Sequence, residues 1–500
     1  MRFRGPWSES YVAAATMVVF ALVPYLALTS ALTPLEPVLS KSLHLSPQSL
    51  QLTSGMANAA YAVGTVLAVQ FAQHLRQRRM LMLYVTLFVA GSVLAAWSPS
   101  PGLFIAGHIM QGLCTSLMLI AAVPPLVVGF PPARMPWTAT IMNMCIFGAV
   151  AAGPSIGGLQ ASAMQWRPLF WIVAGCGMVA WLLALLTYED VEPQDTSAPW
   201  DWVAIGLAGF GCAAAFFGAS ELQTHRFLSV VTFPPLVGGV ILVIALVVHQ
   251  YVVKRPLMPV RQLATTKPVA GIVFALTAGA ASVGAIDLIL TALQTRVSPG
   301  HLAVLFLPQF GGALLTAVIF GALFRTRYMV TLPFAGSLAL AGGIVVVTGI
   351  AHGPNVLVIV GSALMGIGVG SAVSPALFVA GFSLASAQIQ RVFALIELLR
   401  AVAAFMVAPL LLHMAMTVDG GPKQGGITAG MWICFAVAIA GLAVAVYLFV
   451  LGRVRLEAPD LDRWHEGEEP AWDTPSLGAG IRPRHSVSDL PEWRNRPAAP

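Results

Sequence analysis

The sequence predicts an all-α polytopic membrane protein with fourteen transmembrane helices, built as two pseudo-symmetric six-helix bundles plus two linker helices. Three observations predict it. Of the 500 residues, 58% are hydrophobic and 9% are charged, and the mean hydropathy is +0.83. A soluble domain carries about 25% charged residues and has no interior able to hide so much apolar surface. Charges and turn residues cut the chain into fourteen apolar runs, and a short Arg-rich turn recurs at the same place in its two halves. This composition excludes a soluble enzyme, a disordered chain and a secreted disulfide scaffold.

A spanning helix needs about 20 mostly apolar residues. The runs are 11–32, 49–72, 80–98, 102–129, 137–159, 168–187, 201–219, 229–252, 268–292, 301–324, 328–350, 354–380, 390–415 and 429–452. The first run is too long for a signal-peptide core and lacks a cleavage site, so it counts as a span. With the N-terminus inside, fifteen basic residues fall in inside loops: Arg2, Arg4, Arg76, Arg78, Arg79, Arg134, Lys254, Arg255, Arg261, Lys267, Arg325, Arg327, Arg391, Arg453 and Arg455. Five fall outside: Lys41, Arg167, Arg226, Arg296 and Lys423. The positive-inside rule then puts both termini in the cytoplasm, and an inner (cytoplasmic) membrane is the expected location.

Residues 188–201 are acidic and contain proline, and residues 253–267 are basic; both read as linkers. They bracket spans 7 and 8, which leaves six spans on either side. The expected organisation is a first bundle at 1–190, a linker with two extra helices at 191–266, a second bundle at 267–452 and a disordered cytoplasmic tail at 453–500. The tail mixes charge, Pro and Gly, with Trp464, Trp472 and Trp493 as candidate docking side chains. The loop after span 2 reads LRQRRML (Leu75 to Leu81), and the loop after span 10, second in its own bundle, reads LFRTRYMV (Leu323 to Val330). Arg78, Arg79, Arg325 and Arg327 form this repeated loop motif. Matching bundles point to alternating access with a cavity between them.

The net charge of +6 is too small and scattered for nucleic-acid binding. The five cysteines lie in apolar runs without CxxC or Cys/His spacing, so neither a metal site nor a disulfide is expected. No Walker loop, HExxH or paired soluble carboxylates occur. The chain is therefore expected to be no enzyme, to carry no cofactor, and to draw on ion gradients.

At these residues the sequence resembles the major facilitator superfamily, most closely its fourteen-span drug:proton antiporter branch, over about residues 10–452. Span 5 carries AAGPSIGGL (Ala151 to Leu159) followed by Trp166 and Arg167, similar to the antiporter Gly-Pro-x-x-Gly-Gly motif. Gly153, Gly157 and Gly158 permit close helix approach, and Pro154 removes a backbone hydrogen bond and bends the helix, which suits a gate. Span 13, QRVFALIELLRAVAAFMV (Gln390 to Val407), resembles the family stretch in which an Arg precedes small residues; Arg400 falls on that Arg. The sequence also departs from the family. Leu28 stands where an Asp is usual in span 1, Val69 and Gln73 replace Gly and Asp before the loop motif, and His108 replaces an Arg ahead of Gln111 and Gly112.

Ionisable residues inside a span mark function by default. Glu397 and Arg400 lie three apart, on one face of span 13. They read either as a structural ion pair or as a proton site at which cationic cargo competes. Asp287 falls near the outer end of span 9 and is a further proton or substrate candidate whose alternative is a solvated interfacial carboxylate; Glu36 lies likewise at the outer end of span 1. His108, beside Gln111, is a titratable candidate whose bland alternative is a hydrogen-bonded core histidine. Met56, Phe147, Phe217, Phe310 and Met365 are candidate apolar cavity liners.

The expected function is secondary export of lipophilic or cationic small molecules, by exchange with protons across the lipid bilayer. Two alternatives stay open: export of a specific metabolite or siderophore without proton coupling, and a membrane sensor or accessory subunit that does not transport. The sequence names no periplasmic adaptor.

Overall fold

The computed structural model describes residues 5–189, 192–193, 195–349, 355–418, 424–467 and 469–477. Arg2, Arg4, Lys423, Trp493 and the rest of the tail from residue 478 lie outside the described residues. The protein is a multi-pass membrane protein. Fourteen described helices are long and apolar enough to cross a membrane: α1 (Tyr11–Leu43), α2 (Pro47–His74), α3 (Gln77–Trp97), α4 (Pro101–Val128), α5 (Pro132–Ser162), α6 (Arg167–Thr187), α7 (Trp202–Glu221), α8 (Phe233–Val252), α9 (Thr266–Gln294), α10 (Pro299–Leu323), α11 (Leu332–Thr348), α12 (Asn355–Gly381), α13 (Ile389–Val418) and α14 (Gln424–Leu451). Below, the near face is the side on which α1 begins, and the far face is the opposite one.

Helix starts follow local chemistry. The Ser10, Ser46 and Ser298 hydroxyls accept the N–H groups of Ala13, Ser49 and His301, which satisfies donors left over at a helix N-terminus. Apolar side chains on the outside have lipid as their solvent; Phe210 is 76% exposed and Val252 is 72% exposed.

The repeat is visible in the packing. In the first six helices α1 packs on α5 and α6, α2 on α4, and α3 on α4 and α6. The second six repeat this pattern eight helices later: α9 on α13 and α14, α10 on α12, and α11 on α12 and α14. The halves meet along two seams, α2 against α13 and α5 against α10. The inserted α7 and α8 pack together, and α7 lies against α2.

Span 5 is longer and less regular than the sequence suggests. An α-helical stretch, Met135–Asn143, passes through a π-helical turn, Met144–Gly148, before Ala149–Ser162 resumes. Such turns mark places where the regular ladder yields to function or strain.

The expected disordered tail is a correction. Residues 454–467 and 469–477 are folded against the near face, around a short helix α15 (Leu461–His465), with Trp464 and Trp472 buried. The two indoles reach partners in the α12–α13 connection, so apolar burial and hydrogen bonding outweigh the polar composition of the segment.

Candidate functional site

Between the halves lies a cavity of about 230 Å³, lined from α1, α2, α7, α9 and α13. Its walls reach toward the far ends of these helices, at Glu36 on α1, Gln51 on α2, Gln294 on α9 and Met416 on α13. A drug-sized pocket has about 300–1,000 Å³, so cargo of that size requires the halves to part further. Two carboxylates face it: Glu36 and Asp287, close enough for their charges to interact. Thr29, Ser30, Asn58 and Gln223 add polar groups, and Phe216, Ile286 and Phe405 add apolar surface. Both lie near the outer ends of their helices, and the turn of each helix about its axis brings them into the cavity. Leu28 faces the core and is fully buried, so the residue at the family's Asp position does not line this cavity.

Glu397 and Arg400 sit toward the near face from the cavity, about 12 Å below Phe405 for Glu397 by helical rise. Arg400 Nε lies 3.3 and 3.2 Å from the two Glu397 carboxylate oxygens, and Nη2 lies 2.5 Å from Oε2. The Tyr61 hydroxyl, from α2 across the seam, donates to Glu397 Oε2 at 3.2 Å. Glu397 is 2% exposed and Arg400 is 6% exposed. The guanidinium stands 5.8 Å from the Phe147 ring, in the π turn of α5. One buried charge pair thus ties α13 to α2 and α5, and its desolvation is offset by bidentate geometry and the added phenol hydrogen bond. Tyr61 was not singled out from the sequence, since nothing local distinguishes it from any other tyrosine in a span.

Proline supplies a second device. A proline has no N–H for the carbonyl four residues earlier, and a freed carbonyl in a bilayer must find another donor. Pro154 frees the Val150 carbonyl, which accepts the Ser30 hydroxyl at 2.6 Å. Pro125 frees that of Ala121, which accepts the Tyr188 hydroxyl at 2.6 Å. Two such bonds cross between halves. On the near side Pro124 frees the Ile120 carbonyl, bonded by Gln390 Nε2 at 3.1 Å. Farther out, Pro37 frees the Thr33 carbonyl, bonded by Gln294 Nε2 at 2.8 Å.

The glycine motif divides its work. A Cβ on Gly153 would lie 2.1 Å from Ser30 Oγ, and one on Gly157 would lie 2.3 Å from the Ala31 carbonyl oxygen, so both press α5 onto α1 in the same half. On Gly158 it would lie 2.7 Å from the Pro299 carbonyl oxygen and 3.0 Å from Ala303 Cβ, across the seam on α10. Beside it the Ser155 hydroxyl donates to the Ala303 carbonyl at 2.8 Å. The motif is a close helix-to-helix contact shared by both halves.

Other sequence candidates stand apart from the cavity. His108 Nδ1 and Gln111 Oε1 are 3.0 Å apart, and Gln111 donates to Ser92 Oγ at 2.9 Å. The imidazole is packed among Phe104, Phe170 and Tyr25 and belongs to the core of the first bundle. Arg78 donates to the Leu185 carbonyl at 3.1 Å, one of the carbonyls left over in the last turn of α6. Arg79 and Arg325 are exposed, and Arg327 bonds the Tyr328 hydroxyl at 3.2 Å. Of the apolar candidates, Phe147 meets Arg400, while Phe216 rather than Phe217 lines the cavity. Phe217 put α7 among the candidate linings, and it is the neighbouring Phe216 that the turn of the helix brings to the wall.

A two-fold helical repeat around a cavity of mixed lining, with a buried ion pair at the seam, has the architecture of a membrane carrier. The chain belongs to the Major Facilitator Superfamily, whose family model matches residues 18–409. It is 25% identical over 346 residues to the uncharacterized MFS-type transporter YubD of Bacillus subtilis, covering 68% of this chain and 66% of that one. It is 27% identical over 322 residues to the multidrug resistance protein B homolog of Mycobacterium tuberculosis, covering 63% of this chain and 59% of that one. The matched stretches thus span less than two thirds of these relatives' own lengths. A solved POT family transporter in complex with a thioalcohol-conjugated peptide shares the fold, with a TM-score of 0.63 at 14% identity over 88% of this chain and 96% of that one.

Proposed function

We propose that this protein is a secondary exporter that carries lipophilic cations from the near face to the far face in exchange for protons. The observation that carries this reading is the pair of carboxylates, Glu36 and Asp287, facing a cavity of mixed polar and apolar lining between two matched bundles. Apolar walls favour lipophilic cargo, and two mutually repelling carboxylates favour a positive charge, whether a proton or a cationic group. The relative named a multidrug resistance protein B homolog supports drug-like cargo. The basic bias of the near-face loops supports cytoplasmic termini and an inner-membrane setting.

The two charge sites then have separate tasks. Glu36 and Asp287 meet cargo. Glu397 is held by Arg400 and Tyr61 in the near-closed conformation, and protonating it removes the charge that binds these partners, which loosens the α2–α13 seam. Gly158 makes the hinge contact on the other seam, and Gly153, Pro154 and Gly157 join α5 to α1 behind it.

The test uses proteoliposomes with an imposed pH gradient and an internal pH dye. Lipophilic cations, neutral drugs and anions are added to native protein, Asp287→Asn, Glu36→Gln and Glu397→Gln. A proton flux evoked by cations, with weakened apparent affinity in the first two variants and lost exchange in the third, is the expected result. Cargo flux indifferent to the gradient would replace antiport with uncoupled export of a specific metabolite. Binding without flux of any kind would overturn the transport reading.

A further inference from the structure

We infer that the C-terminal stretches 454–467 and 469–477 form a strap that holds the near side of the carrier closed. This rests on the alternating-access reading above and adds a controlling element to it. The segment begins where α14 ends and turns back across the near face. The Trp464 indole N–H donates to the Leu384 carbonyl at 2.8 Å, and its ring packs on Phe382 with centroids 4.7 Å apart. The Trp472 indole N–H donates to Ser383 Oγ at 3.1 Å, and the Ala471 N–H donates to the Phe382 carbonyl at 2.9 Å. Three consecutive residues of the α12–α13 connection are thus gripped by two tryptophans and one backbone bond.

The grip extends in two directions. The Pro475 carbonyl accepts both the N–H and the hydroxyl of Thr266 at 3.0 Å, and the Lys267 ammonium lies 4.8 Å above the Trp472 ring, with Glu457 and Asp473 near enough to balance its charge. These contacts fix the start of α9, in the second half. Helix α15 also lies beside the Pro132–Arg134 turn at the start of α5, in the first half. The strap therefore touches both halves at the face where they meet.

The gripped connection leads directly into α13. Its first turns carry Gln390, bonded to the Ile120 carbonyl of the first half, and Arg391, bonded to the Leu257 carbonyl at 2.8 Å and to the Pro256 carbonyl. Two turns later come Glu397 and its Tyr61 partner. Opening the near side requires α13 to leave α2 and α4, and the strap anchors the end of α13 that must move. Buried indoles with satisfied N–H groups are costly to pull free, so the strap biases the equilibrium toward the near-closed form. A bistable element biased by a separate segment is what a control of transport requires.

The test reads conformation directly, so it does not depend on knowing the cargo. Spin labels are placed at Leu75→Cys and Tyr328→Cys, two exposed near-face positions in opposite halves, with Cys176→Ser removing the one partly exposed native thiol among five otherwise buried cysteines. Their separation is measured in the full chain, in a chain ending at Val454, and in Trp464→Phe/Trp472→Phe, which keeps ring packing and removes both indole donors. Removing the strap is expected to raise the ratio of near-open to near-closed protein about tenfold or more, with a smaller shift for the double Phe variant. Unchanged distance distributions in both variants, with helix content intact, would overturn the strap. Should the shortened chain fail to fold, an unshifted distribution in the double Phe variant overturns it alone. A shifted distribution in protein that moves no cargo would leave the strap standing and count against the export reading.

Discussion

The bond between Gln390 and the Ile120 carbonyl offers a sharp test of how proline shapes this carrier. Pro124 cannot donate to Ile120, and Gln390, on the other half, does so at 3.1 Å. Replacing Gln390 with Leu leaves a buried carbonyl short of its donor, which costs about 1–3 kcal/mol. That cost applies to the near-closed state alone, because parting the seam exposes the carbonyl to water. The near-open population should therefore rise by roughly 5- to 150-fold relative to the native chain. Pro124→Ala restores a backbone N–H within reach of the same carbonyl. The double variant Pro124→Ala/Gln390→Leu should then recover most of the near-closed population, giving a coupling energy of about 1–2 kcal/mol in a double-mutant cycle. The Leu75–Tyr328 label pair reads the populations. Simple additivity of the two substitutions would refute the reasoning, since it would mean that the proline and the glutamine do not share the carbonyl.

Further predictions concern the opposite seam and the near-face linkers. Gly158→Ala should push α5 away from Pro299 and Ala303, at a cost of about 1–3 kcal/mol, and should slow transport. Gly311→Ala, facing open space on α10, should leave transport unchanged; equal effects would show that the seam contact carries nothing special. Asp201 caps α7 by accepting the Ala204 N–H at 2.9 Å and is also bonded by Gln250 at 2.8 Å and His249 at 3.0 Å. Burial pushes its carboxyl up, and the hydrogen bonds outweigh burial, so it sits below the usual carboxylate value. A lowered folded-state value makes its stabilisation complete above about pH 3.9 and lost as pH falls through the lowered value. Asp201→Ala should cost about 1–2 kcal/mol at neutral pH, seen as a lower melting temperature, and the difference from the native chain should shrink in acid. A difference independent of pH would point to packing rather than the charged cap.

Spans, their alternation and the glycine-proline turn of α5 were legible because each is a local property. Twenty apolar residues have no stable place but a bilayer or a large core, and small residues next to a proline permit close approach wherever they occur. The pairing of Glu397 with Arg400 was legible for the same reason, since three residues apart on a helix means one face. A cavity between the halves was legible from the repeat, but which side chains line it was not. Whether Asp287 meets lipid headgroups or cargo depends on how α9 is rotated about its axis, and packing against α13 and α14 sets that angle.

The tail carries the same lesson. Its charge and proline content describe a segment with too little apolar surface to fold alone, and alone it has no reason to. Two tryptophans eight residues apart become anchors once Phe382, Ser383 and Leu384 stand opposite them. Those partners lie about eighty residues earlier in the chain. Sequence by itself determined the membrane, the count of helices and the two-fold repeat, because hydropathy and loop charge act within one segment. Tertiary structure decided which carboxylates share the cavity, which prolines hand their carbonyls to the other half, and what the tail grips, because each depends on surfaces that meet only after the bundles have packed.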